Sequence, residues 1–277
     1  MVLKEVKSKM DLNRWMELAK IIAEDCGDIL ASKQHKFSQA QRIDHSPSTI
    51  YDQLAGMKIK MFLEKKTPFS VYTEEKDNPE KRCQEETFWW CDPIDGTKDF
   101  IKGKDGFCVS IGMVHQGQPV VGVVYQPKKK LLYSAILGNG THLKNDGEIK
   151  NDPVLVNKDN DRHLIGVLGT RNTQQIENIY QEMGSQVHIG PYGGFICKVL
   201  TIVDGIGDVY IKPSSLCNEW DSCAIDVILT EAGGKLTNFL GEKLSYNQTN
   251  PKYNKGIVAS NDLNHDKIVS QLQNYLV

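Results

Sequence analysis

"FCVSIGMVHQGQPVVGVVYQPKKKLLYSAILGNGTHLKN" spans residues 107–145. Runs rich in Val, Ile, Leu and Tyr are cut by turn signals at Gly-Gln-Pro, Pro-Lys-Lys and Gly-Asn-Gly. Strands joined by such short connections pair antiparallel, so the stretch reads as a meander. Upstream, "FSVYTEE" (69–75) and "TFWWCD" (87–92) read as two more strands, each ending on carboxylates. Ahead of them, Leu12, Trp15, Leu18, Ala19, Ile22, Ile29 and Leu30 recur at helical spacing from Asp11 to Lys33. A second helix is expected from about Ser48 to Lys65, with Ile50, Leu54, Met57, Ile59, Met61, Phe62 and Leu63 as its apolar set. Pro47 suits its start.

Beyond the meander the pattern alternates. "HLIGVLGTR" (163–171) reads as a strand, 173–183 as a helix, "GGFICKVLTIVDG" (193–205) as a buried helix and "GDVYIKP" (207–213) as a strand. Asp221 to Ala232 reads as a helix stopped by Gly233-Gly234. Two short strands, "GKLTNF" and "GIVAS", precede a terminal helix from Leu263 to Val277. The expected fold class is α+β, with a mostly antiparallel N-terminal sheet flanked by helices and a smaller α/β C-terminal lobe. The polar, turn-rich "KNDPVLVNKDNDRH" (150–163) places the boundary, giving lobes of 1–155 and 156–277.

The chain's 277 residues suffice for two buried cores. A net charge of -2 gives no basic surplus and argues against a nucleic-acid polymer as partner. Lys128-Lys129-Lys130 reads as a solvated hairpin turn. No apolar run approaches the ~18 residues of a membrane span, and "MVLKEVKSKMDLNRW" has no signal-peptide core. The seven cysteines contain no Cys-x-x-Cys pair, so neither a disulfide framework nor a zinc site is suggested. A cytoplasmic protein is the expectation. No phosphate-binding Gly-x-x-x-x-Gly-Lys loop, no Gly-x-Ser-x-Gly elbow and no dinucleotide fingerprint appears.

"FWWCDPIDGTKDF" (88–100) puts Asp92 and Asp95 three residues apart at the end of a strand. Pro93 holds the chain extended, and Gly96 permits a sharp turn. Two adjacent carboxylates repel, and a divalent cation with a taste for oxygen removes that penalty. The Ile94 carbonyl and the Thr97 hydroxyl lie beside them. Asp-Pro and Asp-Gly are also ordinary turn dipeptides, so alone the stretch fits either reading. Glu74 closes the preceding strand, where it reaches the same sheet edge or simply a solvated end. Asp221 opens an apolar helix, as a ligand or as an N-cap. Asp52 lies within the second helix, where position alone favours a solvated face.

Taken together, "TEE" (73–75), "DPIDGT" (92–97) and "WDSCA" (220–224) resemble, in order and spacing, the lithium-sensitive, magnesium-dependent phosphatase superfamily. The likeness covers nearly the whole chain and implies a layered α-β-α-β-α sandwich. Within it, "DGTKDF", "GGFICK" and "WDSCAIDVILTEAGGKLTNFLGEKLSY" are most similar to the 3'(2'),5'-bisphosphate nucleotidases. The resemblance implies that Glu74, Asp92, Asp95, Asp221 and the Ile94 carbonyl hold two or three Mg²⁺ ions. It implies catalytic roles for Asp52, Glu74 and Thr97. Asp52 matches the last position of a Pro-Val-Thr-x-x-Asp motif, with Ser48-Thr49 in place of Val-Thr. Substrate contacts are implied for Asp95, Gly96, Thr97, Gly193, Gly194, Lys198 and Asp221. "GTRN" (169–172) implies further contacts from Thr170 and Arg171, although the family's following histidine is Thr173 here. The implied reaction is removal of the 3'-phosphate from adenosine 3',5'-bisphosphate, and from its 5'-phosphosulfate analogue, inhibited by lithium. An inositol phosphate phosphatase is the alternative within the superfamily. A non-catalytic metal or nucleotide binder is the alternative outside it. A monomer acting on a small-molecule substrate is expected.

Overall fold

The computed structural model describes residues 11–34, 49–150, 152–159, 163–169, 174–190, 192–212 and 217–273. Helices α1 (Leu12–Lys33) and α2 (Ile50–Lys66) precede strand β1 (Ser70–Thr73), a short helix α3 (Pro79–Arg82) and strand β2 (Thr87–Asp95). After a single turn of helix α4 (Thr97–Ile101) comes the meander: β3 (Cys108–His115), β4 (Gln118–Gln126), β5 (Leu131–Ile136), β6 (Thr141–Asn145) and β7 (Glu148–Ile149). These strands pair in chain order as a seven-stranded sheet, antiparallel except for β1 against β2.

The second sheet is built from β8 (Ile165–Gly169), β9 (Gln186–Gly190), β10 (Val209–Lys212), β12 (Lys235–Thr237) and β14 (Ile257–Ser260), in the order β12-β14-β10-β8-β9. Between them run α5 (Gln174–Glu182), α6 (Phe195–Val203), the bridge strand β11 (Cys217–Asn218), α7 (Glu219–Glu231) and the short β13 (Lys252–Tyr253); α8 (His265–Leu272) follows β14. Its pairings are mixed, parallel around β8 and antiparallel around β14.

Three cores set the layers. Ile22 and Ile59 of α1 and α2 pack with Trp89 and Ile111 on one face of the first sheet. Phe195 and Ile225 of α6 and α7 pack between Phe88 and Trp90 of that sheet and Val167 and Tyr210 of the second. Tyr180 and Ile268 of α5 and α8 close the outer face of the second sheet. The result is the expected α-β-α-β-α layering. Helix α7 lies hard against the first sheet because β3 and β4 carry Gly112 and Gly122 there. A Cβ at either would collide with Cys223 or Ala224.

Helix α2 differs from the sequence expectation. Leu54, Met57 and Met61 of its expected apolar set are 54%, 48% and 71% exposed, while Asp52 is fully buried. The buried face is Asp52, Ala55, Gly56, Ile59 and Leu63. Both sets have helical spacing, so periodicity alone offered two faces. Close approach decides: a Cβ on Gly56 would meet the Pro93 ring at 3.2 Å. The small-residue face turns inward, carrying Asp52 with it.

Candidate metal centre

Parallel pairing of β1 with β2 sets Thr73 opposite Cys91. The next residues, Glu74 just past the end of β1 and Asp92 within β2, therefore lie at neighbouring positions. Pairing of β2 with β3 shifts between Asp92 and Asp95. Pro93, which has no N–H to donate, sits at that irregularity. The Asp92 carboxylate accepts the Ile94 amide hydrogen at 2.9 Å, closing a local turn. Gly96 follows at φ 94°, a left-handed angle that suits glycine, and opens α4.

Two helices deliver further carboxylates by one device. Asp52 is the third residue of α2 and accepts from the Thr49 amide at 2.7 Å and the Thr49 hydroxyl at 2.6 Å. Asp221 is the third residue of α7 and accepts from the Asn218 amide at 2.6 Å. Both are the return arm of a capping box. Asn218, rather than Asp221, is the N-cap of α7, and that helix starts at Glu219. The Thr-x-x-Asp spacing of Thr49 and Asp52 was the sequence signal that Asp52 is turned back to its cap.

Asp92, Asp95 and Asp221 each bring an oxygen within 4.8 Å of the other two. Burial holds Asp92 well above the usual carboxylate range, and Glu74, Asp95 and Asp221 push it further. Glu74 is exposed at the rim of the cluster; desolvation there, then Asp221, Glu75, Asp52 and Asp95, raise its pKa. Asp221 is raised by burial to about 6, with Lys212 opposing. Asp95 is raised by burial, but Lys198, the Ile196 amide, Lys212 and the Phe195 amide pull the other way. Its oxygens accept the first amides of α6, from Phe195 at 3.0 Å and Ile196 at 2.8 Å, where the helix dipole favours negative charge. Gly194 permits this seat, since a Cβ there would fall on the Asp95 carboxylate.

Thr97 links the acids. Its hydroxyl lies 3.2 Å from Asp52 Oδ1 and 3.0 Å from the Ile94 carbonyl, and its one proton serves either acceptor. Ser110, opposite Asp92 on β3 and so on the same sheet face, has a buried hydroxyl with no hydrogen-bond partner among the described residues. Asp52, Asp92 and Asp95 are buried, Asp221 is half-buried and Glu74 is exposed at the rim; with a carbonyl and an unpartnered hydroxyl they make an all-oxygen donor set. It suits a hard divalent cation, whose charge offsets the repulsion.

Of the expected site residues, Asp52, Glu74, Asp92, the Ile94 carbonyl, Asp95, Gly96, Thr97, Gly194 and Asp221 converge here. Lys198 Nζ is turned onto the Gly193 and Gly194 carbonyls at 2.6 and 3.1 Å. Thr170 and Arg171 lie outside the described residues. Lys212, at the end of β10, was missed. Burial works against its charge, but Cys217, Asp221, Tyr210 and Asp95 together hold its pKa above the ordinary lysine value. A lone lysine ending a strand carries no sequence signal. No described helix is long and apolar enough to cross a membrane.

The sequence pattern of the inositol monophosphatase family matches residues 11–276. "Fructose-1,6-bisphosphatase/inositol-1-monophosphatase" of Aquifex aeolicus is 30% identical over 281 residues, covering 96% of this chain and 98% of that protein. "3'(2'),5'-bisphosphate nucleotidase CysQ" of Salmonella typhimurium is 29% identical over 221 residues, covering 78% of this chain and 86% of that protein. The crystal structure of CysQ from Bacteroides thetaiotaomicron superposes with a TM-score of 0.72 at 28% identity, covering 87% of this chain and 95% of that one. Because one family pattern runs through both sheets and every acid of the pocket they enclose, the chain belongs to the inositol monophosphatase family and is a phosphatase of that family.

Proposed function

We propose that the chain is a 3'(2'),5'-bisphosphate nucleotidase. It removes the 3'-phosphate of adenosine 3',5'-bisphosphate to give AMP and phosphate, and acts on 3'-phosphoadenosine 5'-phosphosulfate. The observation that carries the phosphatase chemistry is the Thr97 hydroxyl held between Asp52 and Ile94, at the edge of the Asp92, Asp95 and Asp221 cluster. The nucleotide preference is supported by the "DGTKDF" stretch and by the two CysQ relatives.

Asp92, Asp95, Asp221, Glu74 and the Ile94 carbonyl would hold two or three Mg²⁺ ions. When bound, magnesium supplies charge neutralisation for the phosphate and acidifies the attacking water. The chain's own residues do the rest. Two hydrogen bonds from Thr49 fix Asp52, so the Thr97 hydroxyl has a stationary acceptor. With its proton on Asp52, the Thr97 oxygen accepts a hydrogen bond from the water and aims it at phosphorus. Glu74 lies beside Asp221, Asp52 and Asp95, and cations held there would keep its carboxylate ionised and able to take the water's proton. Lys212 places a positive charge beside Asp95 and Asp221, and that charge favours an anionic substrate.

A second reading, an inositol phosphate phosphatase, is favoured by the Aquifex aeolicus relative, which matches over nearly its whole length. Comparing kcat/KM for adenosine 3',5'-bisphosphate, inositol 1-phosphate and inositol 1,4-bisphosphate in Mg²⁺, with and without Li⁺, separates the two. The nucleotide should lead by at least about tenfold, a difference of about 1.4 kcal/mol. An inositol phosphate in the lead rejects the nucleotidase reading.

A further inference from the structure

Behind Asp95 lies a second group of donors with different chemistry. Cys108 on β3 and Cys197 on α6 are 0% and 3% exposed. Their sulfurs and an Asp95 oxygen all lie within 4.8 Å of one another. The Cys108 thiol points at Asp95 Oδ2 over 3.9 Å. The Gln126 side-chain amide reaches the Cys197 sulfur at 3.3 Å. No Cys-x-x-Cys motif marks the pair, because the two cysteines come from different layers of the fold.

We propose that Asp95, Cys108 and Cys197 form an inhibitory site for a soft divalent cation, Zn²⁺ or Cd²⁺. Two thiolates about 2.3 Å from a tetrahedral zinc sit about 4 Å apart, and these sulfurs already lie within 4.8 Å of each other. Thiolate sulfur selects zinc and cadmium over magnesium, whereas the oxygens of Asp92 and Asp221 suit magnesium. Binding exchanges two thiol protons, released to solvent, for one dication, with no change in oxidation state. The acidic cluster that shares Asp95 attracts cations to the neighbourhood. Asp95 belongs to both groups and cannot serve both cations fully. A soft ion therefore draws it away from the hard site. The inhibition rests on the reading of Asp95 as a magnesium ligand; the binding itself does not.

The test is titration of the full-length, reduced protein with Cd²⁺, followed by the ultraviolet thiolate-to-cadmium absorption. Saturation at one equivalent is expected. Cys108→Ser and Cys197→Ser should each lower the band at that point by about half or more, and Cys83→Ser should leave it. A band that survives both changes, or that depends on Cys217 instead, overturns the proposal. If Cys108→Ser does not fold, Cys197→Ser decides alone. In Mg²⁺-dependent phosphate release, one equivalent of Zn²⁺ should inhibit the parent at least tenfold. Each variant is compared with itself with and without zinc, and Cys197→Ser should lose most of that sensitivity. Equal zinc sensitivity in the parent and Cys197→Ser also overturns it. A parent with a normal cadmium band but no magnesium-dependent activity would count against the proposed enzyme function and leave the thiol site standing.

Discussion

Two clusters of buried charge meet at the start of α7, two residues apart, and they are built on opposite plans. At Glu219, two carboxylates share one guanidinium and every charge has a partner. Arg82, fully buried, donates to both oxygens of Asp77 at 2.8 and 3.0 Å and to the Gln248 carbonyl at 2.9 Å. Its guanidinium lies 4.7 Å from the Trp90 ring centre and 3.7 Å from Glu219. Glu219 in turn accepts from Trp90 at 3.0 Å and from the Gln248 amide at 2.8 Å. At Asp221, carboxylate faces carboxylate, and Lys198 and Lys212 offset only part of the charge. The first cluster has the makeup of structure, since every charge finds a partner within the chain. The second is completed only by something the chain does not supply. A fold that keeps such a site tolerates its cost for function.

The contrast can be broken by mutation. The largest effect should come from Asp95→Asn. Removing one charge from the unbalanced cluster should lower kcat/KM with Mg²⁺ by about 10²–10³-fold, about 3–4 kcal/mol of barrier. Near-full activity in this variant would mean that the metal is held elsewhere. Arg82→Met addresses the partnered cluster and should act on stability. Leaving Glu219 buried, and Asp77 partly buried, without their partner should cost about 3–5 kcal/mol in denaturant unfolding. A cost below about 1 kcal/mol would show the network to be dispensable.

A third buried group sharpens the comparison, because it is kept neutral rather than partnered by an opposite charge. His265 is 1% exposed, with the Thr237 and Ser260 hydroxyls 2.8 and 2.7 Å from its two ring nitrogens. Burial, with Lys235 adding to it, lowers its pKa to about 4. The unfolded chain therefore takes up this proton at higher pH than the folded one. The stability that His265 contributes is complete above its ordinary value of 6.5 and is lost as pH falls from there toward about 4. The loss should approach about 3 kcal/mol and be absent in His265→Gln. The same acid slope in both proteins would place the titration elsewhere.

Much of this was legible in the chain. The meander showed itself because its strands are short, apolar and separated by strong turn residues. Asp92, Asp95 and Asp221 stood out through the company of Pro93, Gly96 and Trp220. The orientation of α2 was not legible, because two stripes of that helix share the same spacing and Gly56 against Pro93 chooses between them. Lys212, the Cys108–Cys197 pair and the Arg82–Glu219 contact join residues 89 to 137 positions apart or carry no local motif. Only the layered fold brings them together. Ser110 reads as an ordinary strand residue, and only the missing partner in a buried setting marks it.

The central claim is that the acidic cluster awaits a cation, and melting of the metal-free protein tests it most directly. Magnesium at about 100 times its dissociation constant should stabilise the folded chain by about 2.7 kcal/mol, with a matching rise in Tm. Asp92→Asn should melt above the parent without metal, since one repelling charge is gone, and should gain little from magnesium. A parent that is indifferent to magnesium, or an Asp92→Asn variant that gains as much as the parent, would contradict the account.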